Sequence, residues 1–282
     1  MKNITIKESL IWATDKLKNS CPRARFEAEL LLAYHLKKDR VYLHISNNQE
    51  VENIDEFREL VKRRADYEPY EYIVQEASFY DISLFVSKGV LIPRPETEIL
   101  VDLVADIIQR ENITIIAEIG IGSGAISIVL ARKFPNLEIV ATDISQKAID
   151  IAQKNIERFG LKNRIKVIKS NLLDEVKEDI ELVVSNPPYI ANDFKLEPNV
   201  KEYEPPQALF GGEIGDELLK NIILDVKNRG VKYLACEMGY DQKEPMEIFF
   251  RDNGIEDYRF YKDLAGFDRG FWLNYNQTPF FK

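Results

Sequence analysis

Apolar side chains recur every three or four positions through the first 74 residues, as at Leu10, Ala13 and Leu17. This spacing places the apolar side chains on one face of a helix. We therefore predict a small all-helical N-terminal domain over residues 1–74.

Residues 75–95 show a different period. In EASFYDISLFVSKGVLI, residues 76–92, apolar and polar side chains alternate, and Asp81 stands where a turn is needed. Alternation on both sides of a turn residue predicts a β-hairpin. We expect this hairpin to link the helical domain to the rest of the chain.

The remaining domain, residues 96–282, alternates apolar runs with helical patterns from Ile113 onward. The predicted segments, in chain order, are strand TIIAEIG, helix SGAISIVLARKF, strand EIVATD, helix SQKAIDIAQKNIERFG, strands RIKVIKS and ELVVSN, helix DELLKNIILDVKN and strand KYLACEMG. Ser145 is the predicted N-cap of the second helix and Gly160 its terminal glycine. Strands joined by helices predict an α/β fold with a mostly parallel sheet covered on both faces. The last stretch, YRFYKDLAGFDRGFWLNY, predicts an antiparallel pair at the sheet edge.

Charge and cysteine content narrow the possible partners. The chain of 282 residues has 38 basic and 47 acidic residues, a net charge of -9, so its average surface repels a phosphate backbone. Cys21 and Cys236 are too few and too far apart for a disulfide scaffold, which fits a reducing cytosol. No stretch of 18 apolar residues and no signal-peptide core occurs, so we expect a cytoplasmic protein without membrane insertion.

Two acidic residues at predicted strand ends point to an adenosine-type ligand. In an open α/β sheet the ligand lies beyond the carboxyl ends of the strands. Glu118 precedes a glycine loop there, and Asp143 ends the next strand, where an acidic side chain accepts hydrogen bonds from ribose hydroxyls. The loop residues predicted to bind the cofactor are Gly120, Ile121, Gly122, Ser123 and Gly124. Gly120 and Gly122, together with Ala125, also satisfy the looser dinucleotide fingerprint, so the loop alone does not identify the ligand.

The tetrapeptide Asn186-Pro187-Pro188-Tyr189, which follows a strand, favours transfer of a methyl group to a planar nitrogen. Such a nitrogen is a poor nucleophile because its lone pair is delocalised. The Asn186 side-chain oxygen and the Pro187 carbonyl can accept both N–H bonds of a substrate NH2 and orient it. The prolines lack N–H groups and keep the segment rigid, while the Tyr189 ring would form one wall of the pocket for the substrate amide. These four residues are the predicted catalytic and substrate-binding set.

The predicted methyltransferase half contains no histidine, because His35 and His44, the only two, lie in the helical domain. N-methylation can proceed without an imidazole base, since the nitrogen becomes acidic as it is alkylated and releases its proton to water. No cluster of His and Cys residues suggests zinc, and we predict no metal.

Several motifs together resemble the release factor glutamine methyltransferases, the HemK/PrmC family. They are LIPRPETE, AEIGIGSGAISI, ATDIS, SNPPYI, YEPPQALFGG, CEMGYDQ and DLAGFDRG, with ARFEAELLLAYHL and YEPYEYI in the helical domain. The resemblance implies a class I S-adenosylmethionine-dependent methyltransferase fold, Rossmann-like, with a seven-stranded sheet whose last strand is antiparallel. It also implies methyl transfer from S-adenosylmethionine to the glutamine of the Gly-Gly-Gln motif in peptide-chain release factors, with S-adenosylhomocysteine as product.

The same resemblance assigns roles to residues of this chain. The glycine loop would hold the methionine end of the cofactor, Asp143 the ribose, and Asn171 and Leu172 the adenine. The family more often has an acidic and an aromatic residue at these last two positions, so the adenine contacts would differ in detail. Asn186 would also border the cofactor, and residues 94–97 would line the entrance while starting a helix. Two glycines at positions 211 and 212 we interpret as turn formers.

Three functions remain in consideration on the sequence. Glutamine methylation of release factors leads, N6-adenine or guanine-N2 methylation of nucleic acid is the alternative, and a dehydrogenase is a distant third. The acidic net charge opposes direct nucleic-acid binding, and the proline tetrapeptide opposes the dehydrogenase. We expect the helical domain to dock the release factor, because an amide-sized pocket alone cannot select one glutamine among many.

Overall fold

A computed structural model describes residues 4–275, and the chain divides into two compact units. The first unit contains the residues up to Glu76 together with Leu196–Tyr203. The second contains Ala77–Lys195 and the described residues from Glu204 onward. No pattern in the sequence indicated that a segment near position 200 would group with the N-terminal helices.

The first unit is helical, as its apolar period predicts. Its N-terminal helices are α1 (Ile6–Leu17), α2 (Ala24–Leu36), α3 (Arg40–Ile45), α4 (Ile54–Ala65) and α5 (Tyr70–Val74). Thr5 and Glu8 form a capping box at the start of α1, which satisfies backbone N–H groups there. The core of the unit includes Leu10, Leu31 and Phe57, each at most 2% exposed. The added segment near position 200 is attached by a 2.7 Å hydrogen bond from the Tyr203 hydroxyl to the carbonyl of Asp66.

The second unit contains three sheets and their covering helices, except that Glu76, the first residue of the first strand, groups with the first unit. The strands are β1 (Glu76–Phe79), β2 (Ile82–Phe85), β3 (Ile115–Ile119), β4 (Glu138–Asp143), β5 (Ile165–Lys169), β6 (Leu182–Ser185), β7 (Ile190–Ala191), β8 (Phe210–Gly212), β9 (Tyr233–Glu237), β10 (Tyr258–Lys262) and β11 (Asp268–Asn274). The helices are α6 (Thr97–Glu111), α7 (Ala125–Lys133), α8 (Gln146–Arg158), α10 (Glu217–Asn228) and α11 (Lys243–Asp252), while α9 (Pro198–Tyr203) groups with the first unit.

The main sheet has seven strands in the order β10-β11-β9-β6-β3-β4-β5. Its pairs from β9 through β5 are parallel, and β11 runs antiparallel to both of its neighbours, as the resemblance implied. One apolar cluster includes Ile116 and Leu130 and a second includes Val183 and Phe271, so buried side chains cover both faces of the central strands. The strand order places the carboxyl ends of β3, β4 and β6 beside one another.

The predicted elements agree with the structure over most of this unit. The strands β1 and β2 form the predicted hairpin, joined by Tyr80 and Asp81. Ser145 caps α8, its hydroxyl accepting from the Ala148 N–H at 3.3 Å, and Gly160 follows the helix with φ 69°. Helix α11, helix α9 and the short β7–β8 sheet were not predicted. Over residues 4–275 no helix combines the length and apolar composition needed to cross a bilayer.

Candidate active site

The glycine loop between β3 and α7 forms one wall of a cavity at the carboxyl end of the sheet. Gly120, Gly122 and Gly124 have φ values of 78°, 54° and 86°, which side chains other than glycine rarely adopt. The N–H groups of Gly120 and Ile121 both donate to the carbonyl of Thr142, which fixes the loop to β4. A Cβ added at Gly120 would meet no protein atom within 4 Å, so this glycine leaves open space where the chain borders the cavity.

Asp143, the last residue of β4, lies against this loop. Its Oδ2 accepts from the Gly122 N–H at 3.1 Å, and its Oδ1 accepts from the Ser145 N–H at 2.8 Å. Burial raises the pKa of Asp143, and the N–H groups of Ser145, Gly122 and Ile144 oppose that effect. Each carboxylate oxygen has a second lone pair, so the side chain can accept further hydrogen bonds from ligand hydroxyls.

Glu118 also borders the cavity, but its carboxyl group is engaged by the following helix. It is 1% exposed and accepts from the Ser127 N–H at 3.1 Å and from the Ser127 hydroxyl. Burial raises the pKa of Glu118 to about 8, although both hydrogen bonds from Ser127 act in the opposite direction. Glu118 therefore occupies an N–H in the first turn of α7, which is not available to a ligand.

The structure brings together most of the predicted site residues around this cavity. Those that line it are Glu118, Gly120, Ile121, Gly122, Ser123, Asp143, Asn171, Leu172, Asn186, Pro187 and Pro188. Gly124 and Tyr189 are not among the lining residues. Gly124 is instead the N-cap residue of α7, where an added Cβ would press against the Ile128 side chain at 3.2 Å.

The entrance segment predicted over residues 94–97 contributes two of its four residues to the lining, Arg94 and Thr97. Arg94 pairs at 2.5 Å with Glu204, whose carboxyl also accepts from the Ile92 N–H at 3.3 Å. Helix α6 begins as predicted, but Glu96 at its N-cap makes no side-chain hydrogen bond to the helix. Glu96 has helical backbone angles rather than the extended ones that side-chain capping needs.

The loop after β5 supplies the residues expected beside an adenine. Asn171 and Leu172 both line the cavity, and Leu172 has a φ of 45°, an unusual value for a branched side chain. The Asn171 Nδ2 donates to Asp174 at 3.2 Å, which leaves its side-chain oxygen available as an acceptor. The cavity wall here combines an amide with apolar side chains, a composition that suits an adenine ring.

Asn186 follows β6 directly and is held by a partner far along the chain. Its Nδ2 donates to the Thr97 hydroxyl at 2.9 Å. The preceding Ser185 hydroxyl donates to the Ile119 carbonyl at 2.8 Å, which joins the ends of β6 and β3. The side-chain oxygen of Asn186 and the main chain of the two following prolines thus remain as acceptors at the cavity.

Tyr189 packs behind this segment rather than in the cavity wall. Its hydroxyl donates to Glu237 Oε1 at 2.9 Å, and its carbonyl accepts from Gln242 Nε2 at 2.9 Å. Burial and the neighbouring Glu237 raise the pKa of Tyr189, so it remains a neutral phenol. Its predicted contact with the substrate amide stays a prediction.

Sequence reasoning assigned no role to Glu237, the last residue of β9. It is 1% exposed, and its Oε2 accepts from the Thr97 hydroxyl at 2.7 Å. Burial raises the pKa of Glu237, while hydrogen bonds from Thr97 and Tyr189 and the charge of Arg269 lower it. The available signal was an acidic residue directly after the apolar run YLAC.

Two glycines allow a neighbouring loop to approach the proline segment. A Cβ on Gly211 would overlap the carbonyl oxygens of Pro188 and Gly215, and one on Gly212 would overlap the Glu217 carboxyl. Neither glycine lines the cavity. The interpretation that residues 211 and 212 serve the backbone rather than a ligand agrees with these contacts.

The groups that line the cavity fit S-adenosylmethionine. A carboxylate for ribose hydroxyls, a glycine loop with room for a ligand against its backbone and an apolar wall are all present. Within residues 4–275, no three His, Cys, Asp or Glu side chains come together in a way that could hold a metal ion.

Two family models match the chain. The PrmC N-terminal domain matches residues 8–74, and the methyltransferase small domain matches residues 96–202. Among curated proteins, the release factor glutamine methyltransferase of Dictyoglomus turgidum is 40% identical over 82% of this chain and 83% of its own length. The release factor glutamine methyltransferase of Clostridium botulinum is 37% identical over 94% of this chain and 97% of its own length.

Solved structures share the fold at low sequence identity. The hMettl16 catalytic domain in complex with MAT2A 3'UTR hairpin 6 is 18% identical, with a TM-score of 0.59, and the match covers 82% of this chain and 86% of that one. The N-terminal domain of human METTL16 in complex with SAH is also 18% identical, with a TM-score of 0.55, over 87% of this chain and 94% of that one. At this identity the likeness shows the fold alone.

Proposed function

This chain belongs to the release factor glutamine methyltransferase family, and we propose how its own residues perform the family's reaction. It transfers a methyl group from S-adenosylmethionine to the side-chain amide nitrogen of the glutamine in the Gly-Gly-Gln motif of peptide-chain release factors. The product of the donor is S-adenosylhomocysteine. Methylation of nucleic acid is not favoured, since the relatives are named as release factor enzymes and the net charge is -9.

The cofactor would be held by the glycine loop, Asp143 and the loop after β5. Asp143 would accept the ribose hydroxyls, the backbone of Gly120 and Gly122 would border the methionine end, and Asn171 and Leu172 would border the adenine. When bound, S-adenosylmethionine would supply an electrophilic methyl group. The substrate amide nitrogen would form the new C–N bond as the C–S bond breaks and leaves its electron pair on sulfur. The nitrogen would lose one proton to solvent.

The side chain of Asn186 and the carbonyl of Pro187 would hold the substrate amide through its two N–H bonds. The observation that supports this assignment is the 2.9 Å hydrogen bond from Asn186 Nδ2 to Thr97. That bond uses the donor end of the Asn186 amide and leaves its oxygen as the acceptor end. Orientation by well-placed groups can supply about 7–11 kcal/mol of a barrier, which is large enough to offset the weak nucleophilicity of an amide.

Proton removal requires no imidazole in this chain. Both histidines, His35 and His44, belong to the helical region, so the sheet-containing unit provides none. Acceptors that hold the N–H bonds of the alkylated nitrogen would also weaken those bonds, and the proton can leave to water. We therefore expect catalysis to rest on orientation rather than on a general base.

The function is tested by incubating the chain with methyl-labelled S-adenosylmethionine and a release factor. Mass spectrometry should find one added methyl group, on the glutamine of the Gly-Gly-Gln peptide. A release factor with that glutamine changed to alanine is the matched control and should take up no label. Label in parallel DNA or RNA samples, with none on the release factor, would overturn the assignment.

We also propose that the helical region docks the release factor. Its surface exposes apolar side chains, among them Val41 and Ile45, which lie four positions apart on α3 and are 63% and 79% exposed. Deleting residues 1–74 would also remove the partners of the Leu196–Tyr203 segment, so the double substitution Val41→Glu/Ile45→Glu is the sharper test.

The expected result is a lower kcat/KM on the whole release factor with unchanged turnover of a short Gly-Gly-Gln peptide. Equal loss on both substrates would show that the substitutions damaged catalysis rather than docking, and no loss on either would contradict docking through this face.

A cytoplasmic location completes the proposal, because release factors act at the ribosome and both cysteines are free buried thiols.

A further inference from the structure

A buried hydrogen-bond cluster lies behind the proline segment, built from two motifs that have so far received no role. CEMGYDQ contributes Glu237 and Gln242, and DLAGFDRG contributes Asp263 and Arg269. The parallel register of β6 and β9 pairs Ser185 with Cys236. The next residue of each strand is therefore Asn186 on one side and Glu237 on the other, which explains why this acid lies beside the substrate-binding segment.

The cluster determines the direction of each hydrogen bond around Asn186. The Thr97 hydroxyl donates its single proton to Glu237 Oε2, at 2.7 Å. Thr97 can then only accept from the other side, and its partner there is Asn186 Nδ2 at 2.9 Å. The Asn186 amide is thereby oriented with its nitrogen toward Thr97 and its oxygen away from it.

Without such a constraint the Asn186 amide could adopt either orientation. The two ends of an asparagine side chain have nearly the same shape, and only hydrogen-bond partners distinguish them. The opposite orientation would present an NH2 group to the substrate NH2, donor against donor. It would suit a glutamate carboxylate instead, so the orientation of this amide is also a choice between glutamine and glutamate.

The rest of the cluster keeps the Glu237 carboxyl group in place. Tyr189 donates its hydroxyl to the other carboxylate oxygen at 2.9 Å. Burial raises the pKa of Glu237, and the hydrogen bonds from Thr97 and Tyr189 and the positive charge of Arg269 oppose that effect. Arg269 is itself held by Asp263, with Nη2 2.8 Å from the carboxylate.

We propose that Glu237 and Thr97 are positioning residues that fix Asn186 with its oxygen toward the substrate, so that the enzyme selects and orients the NH2 group of glutamine. This inference rests on the proposed role of Asn186 in holding the substrate amide. It assigns to the CEMGYDQ motif a function that is distinct from binding the cofactor, since Glu237 does not line the cavity.

The first test compares three substitutions with two matched controls. Thr97→Val removes the hydroxyl at nearly constant shape and should lower kcat about tenfold, the loss expected from a broken buried hydrogen bond. The amide of Glu237→Gln can donate to Thr97 and so reverse the direction of the hydrogen bonds that link residue 237 to Asn186 through Thr97. We therefore expect kcat to fall about 100-fold, as for a misplaced reacting group. Thr97→Ser keeps the hydroxyl and should recover most of the turnover that Thr97→Val loses.

Thr114→Val and Glu181→Gln are the controls. They break a pair of the same chemistry, a threonine hydroxyl that donates to a glutamate at 3.1 Å, at the opposite end of β3. Neither control residue lines the cavity, and both variants should keep wild-type kcat. The affinity for S-adenosylmethionine, measured by calorimetry, should stay within about threefold of wild type in all five variants, a change under 1 kcal/mol.

A double-mutant cycle separates positioning from general damage. If Thr97 acts through Asn186, then Thr97→Val should cause no further loss of kcat in an Asn186→Ala background, measured with radiolabelled methyl donor to detect residual turnover. Independent, multiplicative losses would overturn the inference. The cycle needs only the variants at these two positions, so it remains decisive if Glu237→Gln fails to fold.

Substrate discrimination gives a readout that a merely structural role would not change. Peptides with glutamine or glutamate in the target position compete against the release factor, and the ratio of their inhibition constants is measured in wild type and Thr97→Val. We expect the ratio of the two inhibition constants to move several-fold toward one in Thr97→Val, since the Asn186 amide can then rotate and accept either peptide. An unchanged ratio together with unchanged kcat overturns the inference while wild-type methylation still stands. Absence of glutamine methylation by wild type would refute the proposed function itself.

Discussion

Replacement of Glu118 by glutamine should change how the stability of the sheet-containing unit depends on pH. Glu118 is 1% exposed at the end of β3 and accepts two hydrogen bonds from Ser127. Burial raises its pKa from the ordinary value of 4.5 to about 8. In the unfolded chain the same carboxyl group is solvated and has its ordinary pKa.

The sign follows from proton binding in the two states. Between about pH 5 and pH 8 the folded protein keeps a proton on Glu118 that the unfolded chain has released. The contribution of Glu118 to stability is therefore full below the unfolded pKa and is lost as the pH rises through the folded one. The slope is about 1.4 kcal/mol per pH unit, so a rise from about pH 6 to about pH 7.5 should cost roughly 2 kcal/mol.

Urea unfolding at these two pH values measures the effect. Trp12 lies in the helical unit and Trp272 in β11, so a Trp12→Phe background makes fluorescence report on the unit that contains Glu118. In that background, the free energy of unfolding of the chain with Glu118 should fall by roughly 2 kcal/mol more than that of Glu118→Gln between the lower and the higher pH. Glu138→Gln, at an exposed position of β4, is the control and should retain the full pH dependence. Parallel pH dependences for the chains with and without the Glu118→Gln substitution would refute the proposed protonation of the buried carboxyl.

Three further substitutions test the site. Asn186→Ala should lower kcat by about 10²–10³-fold with little change in S-adenosylmethionine affinity, because the lost contact orients the acceptor; equal turnover would count against its role. Asp143→Ala should weaken S-adenosylmethionine binding in calorimetry by at least about tenfold, since ribose acceptors are lost; unchanged affinity would contradict its assignment. Gly211→Ala should lower the midpoint of thermal unfolding together with kcat, because its Cβ would overlap the Pro188 carbonyl; a variant that matches wild type in both would show that the loop relaxes freely.

The order of helices and strands could be predicted because period and caps are local properties. The strand EIVATD coincides with β4, and Ser145 caps the helix assigned to it. Helix α11 was missed because Pro245 interrupts its pattern, yet the proline lies in the first turn, where its missing N–H costs no intrahelical bond. The short strands β7 and β8 carry too few residues for any alternation to be recognised.

The candidate site was predictable as far as its residues follow strand ends. Most of the predicted cofactor-binding and substrate-binding residues line one cavity, since parallel strands bring their carboxyl ends to one edge. Tyr189 is the informative exception. Its predicted place at the cavity followed from its neighbours in sequence, whereas its hydroxyl is bonded to Glu237, 48 positions later.

Local sequence is enough to indicate which residues face the interior, where most helices begin and end, and which side chains carry the chemistry. The orientation of those side chains toward one another depends on packing between distant elements. Thr97 and Glu237 are 140 positions apart and meet because α6 packs against β9, and β9 lies beside β6. Periodicity reports the direction of each side chain relative to its own element, but the strand order that makes two elements neighbours is set by packing of the whole sheet. The direction of the Asn186 amide depends on that order.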